Sequence, residues 1–219
     1  MQLQPLGDQA ALAYFPDEGA ALQFAAAVRR AGGPWLLDVV QAYTSVAVFF
    51  DLDRTSFRQV AERLQALHAG GSPPAAVMQG KLRSIPCCYE FQLDLHRVAE
   101  RTGLAADDVM RLHAGTEYTV YAIGFCPGFP YLGYLAPALC GVPRLARPRL
   151  QVEPGSVGLT GRQTGIYPLV RPGGWNLIGR TPLELVNVAD GYFPLRTGDR
   201  VRFVRIDEAE FRRLAGQRL

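Results

Sequence analysis

Lysine is almost missing from this chain. Of 23 basic side chains in 219 residues only Lys81 is lysine, the other 22 being arginine. Schiff-base chemistry therefore has one residue to use. No GxxxxGK[ST] run is present to cradle a nucleotide phosphate. Histidine is nearly as scarce, at positions 68, 96 and 113, and the four cysteines, Cys87, Cys88, Cys126 and Cys140, form no CxxC pair. A structural zinc site needs ligands spaced more closely than this. Neighbouring cysteines rarely bridge each other, so Cys87 and Cys88 predict a reduced chain in the cytoplasm. No stretch approaches the ~20 apolar residues of a membrane span. The opening MQLQPLGDQA has neither a charged n-region nor an apolar h-region, which predicts that there is no signal peptide. The net charge of +3 comes without any basic run, so neither nucleic acid nor membrane is expected as a partner.

Glycine and proline are concentrated instead. Gly124 to Pro182 opens GFCPGFPYLGYL and closes RPGGWNLIGRTP. It holds 11 of 23 glycines, 9 of 16 prolines, and six arginines against one acid, Glu153. Gly and Pro are the worst helix formers, so the stretch reads as short strands joined by specified turns. Phe, Tyr, Trp, Leu and Ile are interleaved throughout, whereas disordered tracts are poor in aromatics. A folded, turn-rich surface is expected, and with it the function.

The first 80 or so residues read as ββαββα. Strands at 3–6 and 10–15 precede a helix from Glu18 to Arg30 that Asp17 can cap and Gly32-Gly33 ends. Strands at 35–40 and 45–50 precede a helix at 57–68, started by Asp53 or Thr55. This order predicts an α+β layer of two helices on one face of a four-stranded antiparallel sheet. AGGSPP (Ala69 to Pro74) reads as a linker, which divides the chain into domains 1–80 and 81–219. In the second, strands are expected at 82–91, with Pro86 demoting part of that one to an edge, and at 118–123, 183–188 and 200–205. Helices are expected at 93–101, 105–112 and 208–214. Many short strands with frequent turns point to a β-barrel or sandwich with helical insertions.

Several constellations bear on chemistry. Gly155-Ser156-Val157-Gly158 lacks the G-x-S-x-G spacing of a nucleophile elbow, so Ser156 reads as a turn hydroxyl rather than a nucleophile. His113 and Glu117 have two readings. Glu117 orients His113 as an acid or base, or His113 ends its helix and is held by the C-terminal dipole. Arg144, Arg147, Arg149, Arg162, Arg171 and Arg180 offer bidentate forks suited to a small carboxylate. Trp175, Phe129, Tyr131 and Tyr167 are candidates to wall such a pocket, or are core.

Five runs together resemble one family: GFCPGFPYLG (124–133), Pro148-Arg149, GSVG (155–158), QTGIYP (163–168) and PGGWNLIG (172–179). The family is that of the 5-oxoprolinase B subunits, also described as allophanate hydrolase subunit 1 and sporulation-kinase inhibitor homologues. The resemblance implies an N-terminal α+β domain and a C-terminal cyclophilin-like β-barrel. It implies a non-autonomous component, inactive alone, that joins a C-type 5-oxoprolinase subunit directly. An A-type partner then completes an ATP-dependent hydrolase opening 5-oxoproline to glutamate. No cofactor is expected on this chain alone, since ATP is used by the assembled complex, and the substrate is a small anionic amide. The matching positions are His113 and Glu117 of an H-x-x-x-E-Y element, as the catalytic pair, and Phe129, Arg149, Ser156, Gln163, Thr164, Tyr167 and Trp175, as substrate contacts. Arg149 is expected to meet a carboxylate, and Gln163 with backbone N–H groups an amide.

The chain departs from the family pattern twice. Tyr89-Glu90-Phe91-Gln92-Leu93-Asp94-Leu95 is shorter than the usual glycine-bearing element, and Glu153-Pro154 stands in the usual V-P-A-G-S. Two other activities fit the resemblance: a module that inhibits a histidine kinase, and a carboxyltransferase component acting on a urea-like amide. The cyclophilin-like topology alone carries no prolyl isomerase activity.

Overall fold

Asp17 turns the chain into its first helix by accepting a hydrogen bond from the Ala20 N–H at 2.8 Å. That helix, α1 (Glu18–Ala31), ends at Gly32, whose φ of 54° a side chain would resist. The computed structural model to which it belongs describes residues 1–70 and 80–219, and most of the expected linker lies outside the described residues. The chain divides into two units, Met1–Gln79 and Gly80–Leu219.

The first unit sets β1 (Gln2–Pro5), β2 (Ala10–Tyr14), β3 (Leu36–Ala42) and β4 (Ser45–Phe50) in the antiparallel order β1-β2-β4-β3. Alternation along β4 buries Val46, Val48 and Phe50 against Phe24 and Val28 of α1 and Val60 and Leu64 of α2 (Phe57–Ala69). Ser56 caps α2, rather than Asp53 or Thr55, in a reciprocal box with Gln59. The expected two-layer α+β arrangement is present.

The second unit is a closed barrel. Its strands are β5 (Leu82–Cys88), β6 (Glu117–Ile123), β7 (Pro130–Gly133), β9 (Ser156–Thr160), β10 (Gln163–Ile166), β12 (Asn176–Arg180) and β13 (Arg200–Ile206). They run in the order β6-β13-β5-β12-β9-β10-β7, and the β6–β7 pairing shuts the ring. β8 (Arg149–Val152) and β11 (Arg171–Gly173) form a separate two-stranded ribbon. Two helices, α3 (Leu95–Thr102) and α4 (Ala106–Ala114), add Val98, Val109 and Met110 to an interior that includes Ile85, Val120, Leu132, Leu159, Ile178 and Phe203. The helix α5 (Glu208–Leu214) follows β13.

Two local expectations are corrected. Residues 183–188 are not a strand: they make single bridges, Glu184 to Arg218 and Asn187 to Tyr192. The Asn187 side chain accepts from the Ala189 and Asp190 N–H groups, which bends the chain out of extension. β5 pairs with β13 in parallel along all seven residues, and around Pro86 its other side is an edge among the described residues, as expected. Pro86 is tolerated because β12 engages β5 only at Cys88, so a missing N–H on that side breaks no ladder. Finally, the helix expected from Leu93 begins at Leu95, whose N–H is taken by the Gln92 side chain at 3.0 Å.

Candidate functional site

Strand alternation divides the barrel wall into two environments. Val157, Leu159 and Ile166 point inward with the main core, leaving Ser156, Gly158 and Thr160 of β9 and Gln163 and Gly165 of β10 on the outer face. On that face Phe129 is the hub of an aromatic cluster. It lies 5.2 Å from Tyr167, 5.5 Å from Trp175 and 5.0 Å from Tyr131, each in edge-to-face geometry. Cys126, Val152 and Leu177 complete the cluster. The glycines of the motif provide the floor. A Cβ on Gly165 would lie 3.0 Å from both Phe129 and Trp175, and one on Gly158 3.1 Å from Trp175. The rings sit directly on backbone, which explains glycine there without any appeal to phosphate binding.

The loop 124–130 adds an exposed edge. Phe125 adopts φ 68°, a left-handed conformation costly for a bulky side chain, and is 58% exposed. Its ring stands 5.4 Å from Phe129 and 6.2 Å from Tyr167. Leu150, in the β8 ribbon beside Arg149, is 94% exposed.

Arginines surround these rings. Burial raises the Cys126 thiol above its usual range, and the charge and hydrogen bond of Arg171 offset part of that rise. The phenols of Tyr131 and Tyr167 are likewise raised by burial; Arg144 opposes the rise at both, and Arg149 at Tyr167. Arg149 itself donates from Nη2 to Asp94 Oδ1 at 2.8 Å, while its buried Nη1 has no hydrogen-bond partner among the described residues. The Phe129, Tyr167 and Trp175 rings are themselves buried, so a planar anion arriving here would meet the exposed Phe125 ring and the surrounding guanidinium donors.

The expected substrate contacts are thus partly assembled. Phe129, Tyr167 and Trp175 cluster, Arg149 is close enough to bear on the Tyr167 phenol, and Ser156 and Gln163 share the outer wall. Thr164 does not belong to this group: it faces the barrel interior. The expected catalytic pair is not formed either. His113 is wholly buried, and Glu117 is on the exposed side of β6, its carboxylate taken by Arg200 at 2.9 Å and Arg202 at 3.2 Å. A four-residue spacing brings two side chains together only on a continuous helix, and α4 ends at Ala114.

The interior network fixes the His113 tautomer. The Gly158 carbonyl only accepts, so Thr164 Oγ1 donates to it at 2.9 Å. Having spent its hydrogen, Thr164 accepts from His113 Nε2 at 2.9 Å, and Nδ1 accepts from the Tyr89 hydroxyl at 2.7 Å. The ring also packs 4.5 Å from Phe203 and 5.4 Å from Tyr118. Burial pushes its pKa down to about 3, so the imidazole is neutral and withdrawn from solvent. This is the chemistry of a core hub, not of a solvent-reached base.

Sequence reasoning misses Asp94 and Phe125. Asp94 is named there only within the run that departs from the family pattern, and its partners are 55 and 83 residues away. Phe125 does carry a signal, in its place inside the glycine-proline motif.

Residues 1–192 match the family model for the carboxyltransferase domain, subdomains C and D. The chain is 35% identical over 233 residues to the 5-oxoprolinase B subunit of Bacillus subtilis (strain 168), covering 96% of this chain and 95% of that protein. Among solved structures, TTHA0988 matches with a TM-score of 0.78 and 38% identity over 91% of this chain, which spans 40% of that longer chain. The Kluyveromyces lactis urea carboxylase has the same fold, with a TM-score of 0.75 at 18% identity over 97% of this chain and 22% of its own.

Proposed function

The chain belongs to the carboxyltransferase subdomain C and D family, and on that premise we propose that it is the B subunit of an ATP-dependent 5-oxoprolinase. Together with C-type and A-type partners it opens 5-oxoproline to glutamate; alone it is inactive. ATP is consumed by the assembly, and the complex works in the cytoplasm.

The observation that carries this reading is the Arg149 guanidinium, held on one side by Asp94 and unpaired at a buried Nη1, against the Phe129–Tyr167–Trp175 wall. 5-Oxoproline is a small flat lactam bearing one carboxylate. Its carboxylate suits Arg149, its ring suits the exposed Phe125 that stands on the cluster, and its amide suits Gln163 and backbone N–H groups on the outer wall. His113 and Glu117 serve the barrel and its surface in this reading, so the groups that activate the amide come from a partner chain. Glutamate formation by the reconstituted complex tests it. Arg149→Ala is expected to raise KM for 5-oxoproline by about 100-fold, the scale of losing a charge-assisted pair of ~3 kcal/mol. An unchanged KM would remove Arg149 from the site.

A second reading takes the family description at its word: a carboxyltransferase component acting on a urea-like amide. Biotin-dependent carboxylation of urea by the assembled complex, with no turnover of 5-oxoproline, would favour it. A third role, inhibition of a histidine kinase, would appear as dose-dependent loss of autophosphorylation when this chain is added by itself.

A further inference from the structure

We propose that Asp94 is the positioning residue of this site, its carboxylate fixing the Arg149 guanidinium so that the part of the side chain left exposed is presented to a ligand oxyanion. The inference rests on the reading of Arg149 as the carboxylate contact.

Asp94 occupies the N-cap position of α3, yet its side chain makes no capping hydrogen bond. A carboxylate only 7% exposed has instead been turned away from its own helix. Both oxygens are used elsewhere. Oδ1 accepts from Arg149 Nη2 at 2.8 Å, and Oδ2 accepts from the Leu177 N–H at 2.7 Å. The backbone repeats the attachment, since the N–H groups of Leu93 and Asp94 both donate to the Leu177 carbonyl, at 3.1 and 2.8 Å. Leu177 is two residues from Trp175, on β12. One carboxylate therefore ties the arginine of the β8 ribbon to the strand that follows the aromatic wall.

The tie matters because, among the described residues, β8 pairs only with β11, outside the barrel. An arginine on such a ribbon has long rotamer freedom, and ordering it beforehand lowers the cost of binding. Anchored at Nη2, the planar group has its orientation set, and Nη1 is the buried donor left without an acceptor among the described residues. Arg97 reinforces the same junction, donating from Nε to Asn176 Oδ1 at 2.9 Å, while the Asn176 amide donates to the Pro143 and Leu159 carbonyls. The ligand implied is a small molecule with one carboxylate or similar oxyanion and a flat face.

The test is steady-state kinetics of 5-oxoproline turnover in the reconstituted complex with Asp94→Asn, Asp94→Glu and Arg149→Lys, each verified as folded by circular dichroism. Asp94→Asn should raise KM about tenfold while kcat falls less, the signature of a misplaced binding group. Asp94→Glu should recover part of the loss. Added to Arg149→Lys, Asp94→Asn should cost less than about threefold more, because the two act as a unit. A KM for Asp94→Asn equal to wild type, or full additivity, overturns the proposal while leaving the Arg149 reading intact. An unchanged KM in Arg149→Lys removes both. Should the complex not turn over 5-oxoproline at all, guanidinium ¹⁵N spectra of the full chain decide, with Arg149 assigned by difference from Arg149→Lys. Slow rotation of the Arg149 group that becomes fast in Asp94→Asn supports the tie; identical spectra contradict it.

Discussion

His113 spends both ring nitrogens inside the barrel, and this has a consequence for stability that is independent of any substrate. Its pKa falls from 6.5 to about 3 on folding, so between those values the unfolded chain binds a proton that the folded chain does not. Stability from this residue is complete above pH 6.5 and is lost as pH falls toward 3, with a limiting slope of ~1.4 kcal/mol per pH unit. Denaturant titrations between pH 7 and 4 should show that slope, and His113→Gln should remove it even if the variant is less stable at pH 7. Gly165 makes a second residue-scale test. A methyl group there meets Phe129, Trp175 and, at 2.8 Å, the Pro130 carbonyl. Gly165→Ala should cost ~1–3 kcal/mol in unfolding free energy and perturb the near-ultraviolet aromatic signal. A silent substitution would mean that the rings do not rest on the strand.

Among the elements, the loop 124–130 carries strain at Phe125, as the turn between β3 and β4 does at Tyr43. Phe125→Gly relieves a left-handed φ worth ~1–2 kcal/mol, against the entropy that glycine adds to the unfolded chain. The variant should unfold within ~1 kcal/mol of wild type although an aromatic side chain is lost, while KM for substrate in the assembled complex rises. A large loss of stability would make Phe125 a core residue instead. Helices and hairpins of the first unit were legible from local chemistry, because Asp17, Gly32 and the alternation of β4 act within a few residues. Residues 183–188 were not: apolar spacing reads as a strand, but Asn187 bonds its own backbone and wins. Of the two readings of Phe129, Tyr167 and Trp175, wall or core, their burial matches the second, and Phe125 is the ring left exposed beside them. The Asp94–Arg149 pair was illegible, since nothing local to either residue requires the other. His113 and Glu117 misled for a related reason, their spacing having meaning only if the helix continued past Ala114.

For the whole molecule, the chain supplies a two-layer α+β unit and a barrel whose outer face bears a buried aromatic cluster with arginines near it. The relative TTHA0988 carries further chain beyond the region matched here, in keeping with a site that other polypeptide completes. On this account the chain binds substrate and a partner chain acts on it. Titration of the chain into fixed amounts of its C-type and A-type partners, with 5-oxoproline-dependent ATP hydrolysis as the readout, tests this most directly. Activity is predicted to rise from background to a plateau at a fixed stoichiometry, and to be absent from the chain alone. Hydrolysis that proceeds equally well without the chain, or none in the complete mixture, would contradict it.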